Sequence, residues 1–137
     1  MDLGITERLA PLLEQVKAFI AEEIAPLEGE YLAEIGNGDR WQFTARQTEI
    51  MEGLKAKARE QGLWNFFLTE GEHSSGLSTV EYAYLAEEMG KSHIASEVFN
   101  CAAPDTGNME VLAKYGNAEQ KKRWLEPLLN GDIRSVF

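Results

Sequence analysis

Apolar residues recur at steps of three and four near the start of the chain. The positions are Leu9, Leu12, Leu13, Val16, Phe19, Ile20 and Ile24. This spacing places one apolar stripe along a helix, so we predict a first helix over about 9–25. Pro11 can occupy its first turn at no cost, and Pro26 is expected to end the helix because it disfavours helical geometry at Ala25.

Two capping-box sequences indicate where the next helices begin. Thr44 is followed three positions later by Gln47, and Ser78 by Glu81. In such a pair each side chain can hydrogen-bond to the backbone N–H of the other residue. The first of these helices is expected to end at Gly62, which can adopt the left-handed conformation that terminates helices.

The apolar run 63–68 lies between these two helices and is too short to assign by periodicity. We expect it to form a buried turn or a short helical piece. The helix that follows Ser78 is expected to run to Gly90. Leu77 and Tyr82 occupy the positions of a hydrophobic staple across its first turn, which supports the same starting point.

Two further helices are predicted near the end of the chain. Asp105 or Thr106 can cap a fourth helix that ends at Gly116, and Asn117 can start a fifth at once. The apolar side of the fifth helix is expected to carry Trp124, Leu125, Leu128 and Leu129.

Pro127 is expected to kink the fifth helix and Gly131 to end it. The last residues, 132–137, alternate between apolar and polar side chains, as in a strand. We therefore predict an all-α fold over 1–131, an orthogonal or up-down bundle of about five to six helices, with 132–137 as the first strand of a missing β-domain. Because a lone strand is not stable, the strand must pair downstream or the chain is a fragment.

The composition limits the classes of partner and the kinds of covalent link that this chain can have. A chain of 137 residues with a formal charge of −10 fits one domain and argues against nucleic acid or an anionic membrane surface as a partner. Cys101 is the only cysteine, so an intrachain disulfide is impossible. The chain carries neither a secretory leader pattern nor an apolar run long enough to cross a bilayer. An intracellular protein without membrane insertion is expected.

Residue types that carry chemistry occur singly rather than as a catalytic group. Glu70 and His73 have the Glu-x-x-His spacing of di-iron proteins, but they lie in a Gly/Ser-rich loop, and the second pair that such a site needs is missing. His93 is interpreted as a capping residue at a helix exit and Cys101 as a small buried thiol. The basic run 121–123 fits an exposed helix face, with a phosphate contact as the alternative.

Two neighbouring segments closely resemble the acyl-CoA dehydrogenase family. They are NCAAPDTGNMEVL at 100–112 and KYGNAEQKKRWL at 114–125. Weaker similarity at 62–64 and 85–90 extends the resemblance over nearly the whole chain. The first segment is most similar to the branch that in animals is fused to a phosphotransferase-like domain and favours longer acyl chains.

The resemblance implies a flavoprotein oxidoreductase of fatty acid β-oxidation with FAD as cofactor. Such an enzyme has an N-terminal helical domain, a middle β-domain and a C-terminal four-helix domain, and forms a homodimer or homotetramer. A glutamate of the last domain removes the α-proton of an acyl-CoA while hydride passes to the flavin, and an electron-transfer flavoprotein or similar acceptor reoxidises it. The expected location is the cytoplasm, or an organelle matrix in a eukaryote.

The resemblance also implies which residues of this chain serve the reaction. The family's N-terminal domain forms part of the acyl-pocket wall, and the matching positions are Phe99, Asn100, Cys101, Ala103 and Thr106. Phe137 matches the first position of an aromatic-x-x-Thr-Glu-Pro flavin segment. No catalytic or metal-ligating residue is predicted here, so the fragment alone is expected to be inactive. The alternative is an acidic helical module that binds a partner helix or an acyl carrier without doing chemistry.

Overall fold

The computed structural model describes residues 3–136, which form six helices and no strand. Helix α1 consists of the α-helical segment Leu9–Phe19, a π-helical turn Ile20–Ile24 and a second α-helical segment Ala25–Ala33. Helices α2 to α5 are Ala45–Glu60, Thr79–Met89, Ala95–Val98 and Asp105–Tyr115. Helix α6 consists of Ala118–Gln120, a π-helical turn Lys121–Leu125 and Glu126–Asn130. The predicted all-α fold is confirmed.

The helices surround one apolar core. The first segment of α1 packs against α3 and its last segment against α2, while the short α4 contacts both α2 and α3. Helices α5 and α6 pack against each other. The run 63–68 is a buried turn, as predicted, with Leu63 and Phe66 inside the core. The architecture therefore buries Ala95, Val98 and residues 99–101 within the bundle.

Two of the predicted effects of proline need correction or refinement. Pro26 does not end the first helix, which continues to Ala33. A π turn directly precedes it, and the Ala25 N–H bonds to the Ile20 carbonyl, five residues back. The wider turn accommodates a residue that has no N–H and whose ring would clash with a regular helix. A second π turn precedes Pro127, so the expected distortion of α6 takes that form.

Local capping signals were reliable at most helix ends. Both predicted capping boxes form, with Thr44 and Ser78 as N-cap residues, and a further capping box forms at Asn117, where the fifth helix was expected to start. Gly62 and Gly131 have φ values of +73° and +75°, so both adopt the left-handed conformation after a helix. The start of α5 is the exception. Pro104, which has no side-chain oxygen, occupies its N-cap position, and neither Asp105 nor Thr106 caps it.

Two expectations about the last part of the chain also need correction. Trp124 was predicted on the apolar side of α6, but its side chain is 44% exposed, with the Arg123 guanidinium 4.5 Å from a ring centroid. Leu125 and Leu128 carry the buried face instead. Residues 132–136, the described part of the predicted strand, have no regular secondary structure. A strand needs a partner to form, so the β-domain remains a prediction.

No helix among residues 3–136 is both long and apolar enough to cross a bilayer.

A buried carboxylate, Glu81, connects the N-terminal segment to the start of α3. It accepts hydrogen bonds from Thr6 Oγ1 at 2.6 Å, Arg8 Nε at 2.7 Å and the Ser78 N–H at 2.8 Å. The Arg8 hydrogen bonds, followed by the Ser78 N–H, hold the pKa of Glu81 well below its usual range. The ionised form of Glu81 therefore stabilises the fold.

We expect Glu81→Gln to lower the Tm at pH 7, since glutamine keeps a capping-box partner but removes the charge. A carboxyl group whose pKa is lower in the folded state than in the unfolded state stabilises the fold. This contribution is complete above the unfolded-state pKa of about 4.3 and declines as the pH falls towards the folded-state pKa. The Tm difference between wild type and variant should therefore shrink between about pH 5 and pH 3 in a thermal unfolding series. The exposed Glu87→Gln serves as the control, and a difference independent of pH would contradict the prediction.

Candidate functional site

The predicted pocket segment connects α4 to α5, and its residues have very different exposures. Phe99 is fully buried, and Asn100 and Cys101 are nearly so. Ala103 is exposed and Thr106 is half-buried. The five predicted positions therefore divide into an inner group, 99–101, and an outer group, 103 and 106.

Phe99 is part of the core. Its ring centroid lies 5.4 Å from that of Phe19 and 5.8 Å from that of Phe66, with both pairs of rings tilted. The side chain therefore joins α1, the buried turn and α4. Within the described bundle, Phe99 therefore anchors the predicted pocket segment to the core.

Asn100 holds the segment against the end of α6. It has a φ of +54°, and Asn65 in the buried turn has a φ of +56°, a conformation that asparagine tolerates better than most residues. Asn100 Nδ2 donates to Asn65 Oδ1 at 2.7 Å and to the Leu128 carbonyl at 3.0 Å. Asn65 Nδ2 in turn donates to the Leu129 carbonyl at 2.9 Å. These contacts give the side chain of Asn100 a positioning role.

Cys101 is a neutral, packed thiol. Burial raises its pKa to about 12, although backbone hydrogen bonds from Phe66 and Phe67 and a contact with the side chain of Tyr82 oppose the shift. Its Sγ lies 3.3 Å from the Phe99 carbonyl oxygen, to which it can donate. The reactive form of cysteine is the thiolate, and both the burial of Cys101 and its raised pKa favour the neutral thiol. The interpretation as a small buried group is confirmed.

The outward side of the segment carries only small side chains. Ala102, Pro104 and Thr106 are half-buried and Ala103 and Gly107 are exposed. We call residues 102–107, without the buried Asp105, the small-residue surface. It offers apolar groups and one hydroxyl on a rigid base, so it can contact an apolar chain and exclude water from it.

Asp105 is only 3% exposed and was expected only as a helix cap. Its Oδ1 accepts from the Ser135 N–H at 2.7 Å and from Ser135 Oγ at 2.6 Å, and its Oδ2 pairs with Arg134. Arg134 also pairs with Glu97, whose Oε1 lies 2.7 Å from Lys55 Nζ. The sequence carries no local pattern that predicts this cluster. Its contacts join residues that are 29 or more positions apart in the chain, such as Asp105 with Arg134.

A cavity of about 620 Å³ lies beside this cluster, between α1, α2, α4 and residues 131–134. Tyr31, Met51, Lys55, Glu97 and Arg134 are among its lining residues. None of the five predicted pocket residues lines it. The cavity and the small-residue surface are therefore separate features, joined through the charged cluster. Phe137, predicted to contact flavin, lies outside the described residues.

Comparison with known proteins supports the same family as the sequence motifs. Residues 6–132 match the model of the acyl-CoA dehydrogenase N-terminal domain. The chain is 48% identical to mouse acyl-CoA dehydrogenase family member 10 over 98% of its own length, and 51% identical to mouse family member 11 over 92%. A solved Mycobacterium abscessus structure described as an acyl-CoA dehydrogenase matches 96% of the chain with a TM-score of 0.85 and 48% identity.

The chain spans 13% and 16% of the length of the two mouse relatives and 33% of the solved M. abscessus chain. The match covers the helical bundle, including the segment between α4 and α5. The chain belongs to the acyl-CoA dehydrogenase family and corresponds to its N-terminal helical domain.

Proposed function

We propose that this chain serves as the N-terminal domain of an FAD-dependent acyl-CoA dehydrogenase and supplies part of the wall of the acyl pocket. The small-residue surface carries this proposal. Its exposed face leaves room for an alkyl chain, while Phe99, Asn100 and Cys101 fix it from the inside. Such a rigid apolar wall is what a substrate pocket needs in order to bind a chain and keep water out.

In this function the chain's own residues bind and orient rather than react. Ala103 and Thr106 would contact the acyl chain, and the inner residues would hold them in place. The flavin supplies the hydride acceptor when it is bound, and Phe137 is the residue that the family resemblance assigns to it. Since Phe137 lies outside the described residues, no contact to the flavin is derived. The base that removes the α-proton is assigned to a domain absent from this sequence.

The finer proposals follow from the family branch. They are a preference for longer acyl chains, an electron-transfer flavoprotein or similar acceptor, a homodimer or homotetramer, and a location in the cytoplasm or an organelle matrix. The 48–51% identity to the two mouse family members supports the choice of branch.

The proposal is tested by producing the longest reading frame that contains these residues alongside the 137-residue chain. We expect the longer protein to carry flavin absorbance and to convert palmitoyl-CoA to the enoyl-CoA in a dye-coupled assay. The 137-residue chain should show neither property. A longer protein lacking both flavin and activity would overturn the proposal.

The pocket role has its own test. Ala103→Phe should lower kcat/KM for palmitoyl-CoA about tenfold or more relative to butyryl-CoA, because the larger ring occupies space that only a longer chain needs. Ala83→Phe, on the exposed side of α3, is the matched control. Equal losses for both substrates would argue that Ala103 does not line the acyl pocket.

The alternative is an acidic helical module that binds a partner helix or an acyl carrier without catalysis. The same small-residue surface could accommodate such a helix. A longer protein without flavin, together with stable binding of a partner helix that Ala103→Phe abolishes, would favour this alternative.

A further inference from the structure

The segment that follows α6 is held to the bundle by one buried carboxylate. Both oxygens of Asp105 are used by it: Oδ1 accepts twice from Ser135, and Oδ2 pairs with Arg134. Asn108, one turn along α5, adds a hydrogen bond from its Nδ2 to Ser135 Oγ at 2.8 Å. The side chains of α5 thus determine where residues 134–135 lie.

The same carboxylate is carried by a residue that is flanked in the chain by members of the small-residue surface. Asp105 stands between Pro104 and Thr106 in the chain, and the Thr106 N–H donates to the Ala102 carbonyl at 3.2 Å in the turn that opens α5. Because the Asp105 side chain is only 3% exposed, close packing leaves it little room to move independently of the backbone on either side of it. We therefore expect a displacement of residues 134–135 to reach the small-residue surface.

The charged side chains around Asp105 form specific ion pairs and not a general acidic patch. Arg134 lies between the carboxylates of Asp105 and Glu97, and Lys55 completes the group on the far side of Glu97. Along this group the charges alternate in sign, in the order Asp105, Arg134, Glu97 and Lys55. Asp105 and Lys55 are the buried members of this group, so loss of Arg134 or of Glu97 removes the near ionic partner of a buried charge.

We propose that Asp105 is a positioning residue that couples the small-residue surface to residues 134–135, so that the acyl-pocket wall and the exit from the helical domain move together. The acyl-pocket part of this statement rests on the proposed function. The coupling between the two segments does not, because it follows from the contacts of Asp105 alone.

Amide hydrogen exchange on the 137-residue chain tests the coupling without substrate or cofactor. Arg134→Gln should accelerate exchange at the Thr106 amide, and Asp105→Asn should accelerate it at both Thr106 and Ser135, by about tenfold or more. The double variant, with Asp105→Asn and Arg134→Gln together, should recover much of the protection, because neutral amides replace the two opposite charges. The exposed Asp39→Asn is the control and should change neither amide.

A simpler role for Asp105 gives a different result. A carboxylate in the first turn of α5 also interacts favourably with the helix dipole. If this were its only role, Arg134→Gln would leave Thr106 unchanged and would not rescue Asp105→Asn. Either of these observations would overturn the coupling.

The effect of the coupling on substrate binding can be tested in the longer protein. Asp105→Asn should raise KM for palmitoyl-CoA more than for butyryl-CoA, with a smaller effect on kcat, and Arg134→Gln in the same protein should reverse part of the change. An equal rise for both substrates would refute the link to the acyl-pocket wall. If no acyl-CoA is converted by the wild-type protein, the proposed function fails, whereas the exchange result still decides the coupling.

Discussion

Phe99→Ala is expected to lower the free energy of unfolding by about 3–5 kcal/mol, which is comparable to the whole stability of many small domains. Phe99 is fully buried and its ring contacts those of Phe19 and Phe66. Truncation removes these contacts and leaves a cavity where α1, α4 and the buried turn meet. Urea unfolding followed by circular dichroism should show either a much lower midpoint or no folded baseline.

An exposed aromatic residue provides the control for this experiment. Phe43 is 75% exposed in the loop before α2, so Phe43→Ala should change the free energy of unfolding by no more than about 0.5 kcal/mol. The milder Phe99→Leu keeps most of the buried volume and should remain folded, with an intermediate midpoint. A Phe99→Ala protein as stable as Phe43→Ala would show that Phe99 is not at the centre of the core.

Glu97→Gln is expected to lower the free energy of unfolding by about 1–3 kcal/mol, because it removes the near carboxylate from the buried Lys55, whose other acidic neighbour, Glu52, lies 3.8 Å away. Lys55 is only 4% exposed, and burial lowers its pKa below the ordinary value. The deficit should be measurable by urea unfolding at pH 7.

The pH dependence of the same variant gives a sharper test. When the folded pKa of a lysine is lowered, the unfolded state binds more protons, so stability rises as pH increases through that pKa towards about 10.4. The deficit of Glu97→Gln should therefore shrink at alkaline pH, where Lys55 can lose its charge. Adding Lys55→Met should remove this pH dependence and recover part of the stability at pH 7. A deficit that is the same at every pH, with or without Lys55, would contradict this account.

The starts of most helices were predictable because their signals are local. A capping box at Thr44, Ser78 or Asn117 involves two residues three positions apart, so it acts without help from the rest of the fold. The same holds for Gly62 and Gly131, whose positive φ values follow from their own lack of a side chain.

The predictions that failed depended on neighbours distant in the sequence or on alternative helix geometry. Pro26 has a strong local tendency to end a helix, but a π turn accommodates it, and α1 continues to pack against α2. Helix α4, only four residues long, is too short for periodicity to reveal. Its formation depends on the burial of Ala95 and Val98 against the helices around it.

The candidate site was also predictable from the sequence only in part. The motif at 100–112 was enough to indicate the family, whereas the pocket role inferred for this segment stays a prediction. The motif did not indicate that Asn100 faces inward, that Asp105 is buried, or that Arg134 approaches it from beyond α6. These orientations depend on how the elements pack.

The chain's hydrophobic spacing, capping boxes and terminal glycines established an all-α domain and most of its helix boundaries, because those interactions lie within a turn or two of the backbone. Only the tertiary structure decided which residues of the predicted pocket segment face outward and which charged side chains meet. Asp105 illustrates the reason: in sequence it resembles a helix cap, but burial requires a partner for its charge, and folding brings Arg134 and Ser135, from 29 and 30 residues away, to provide it.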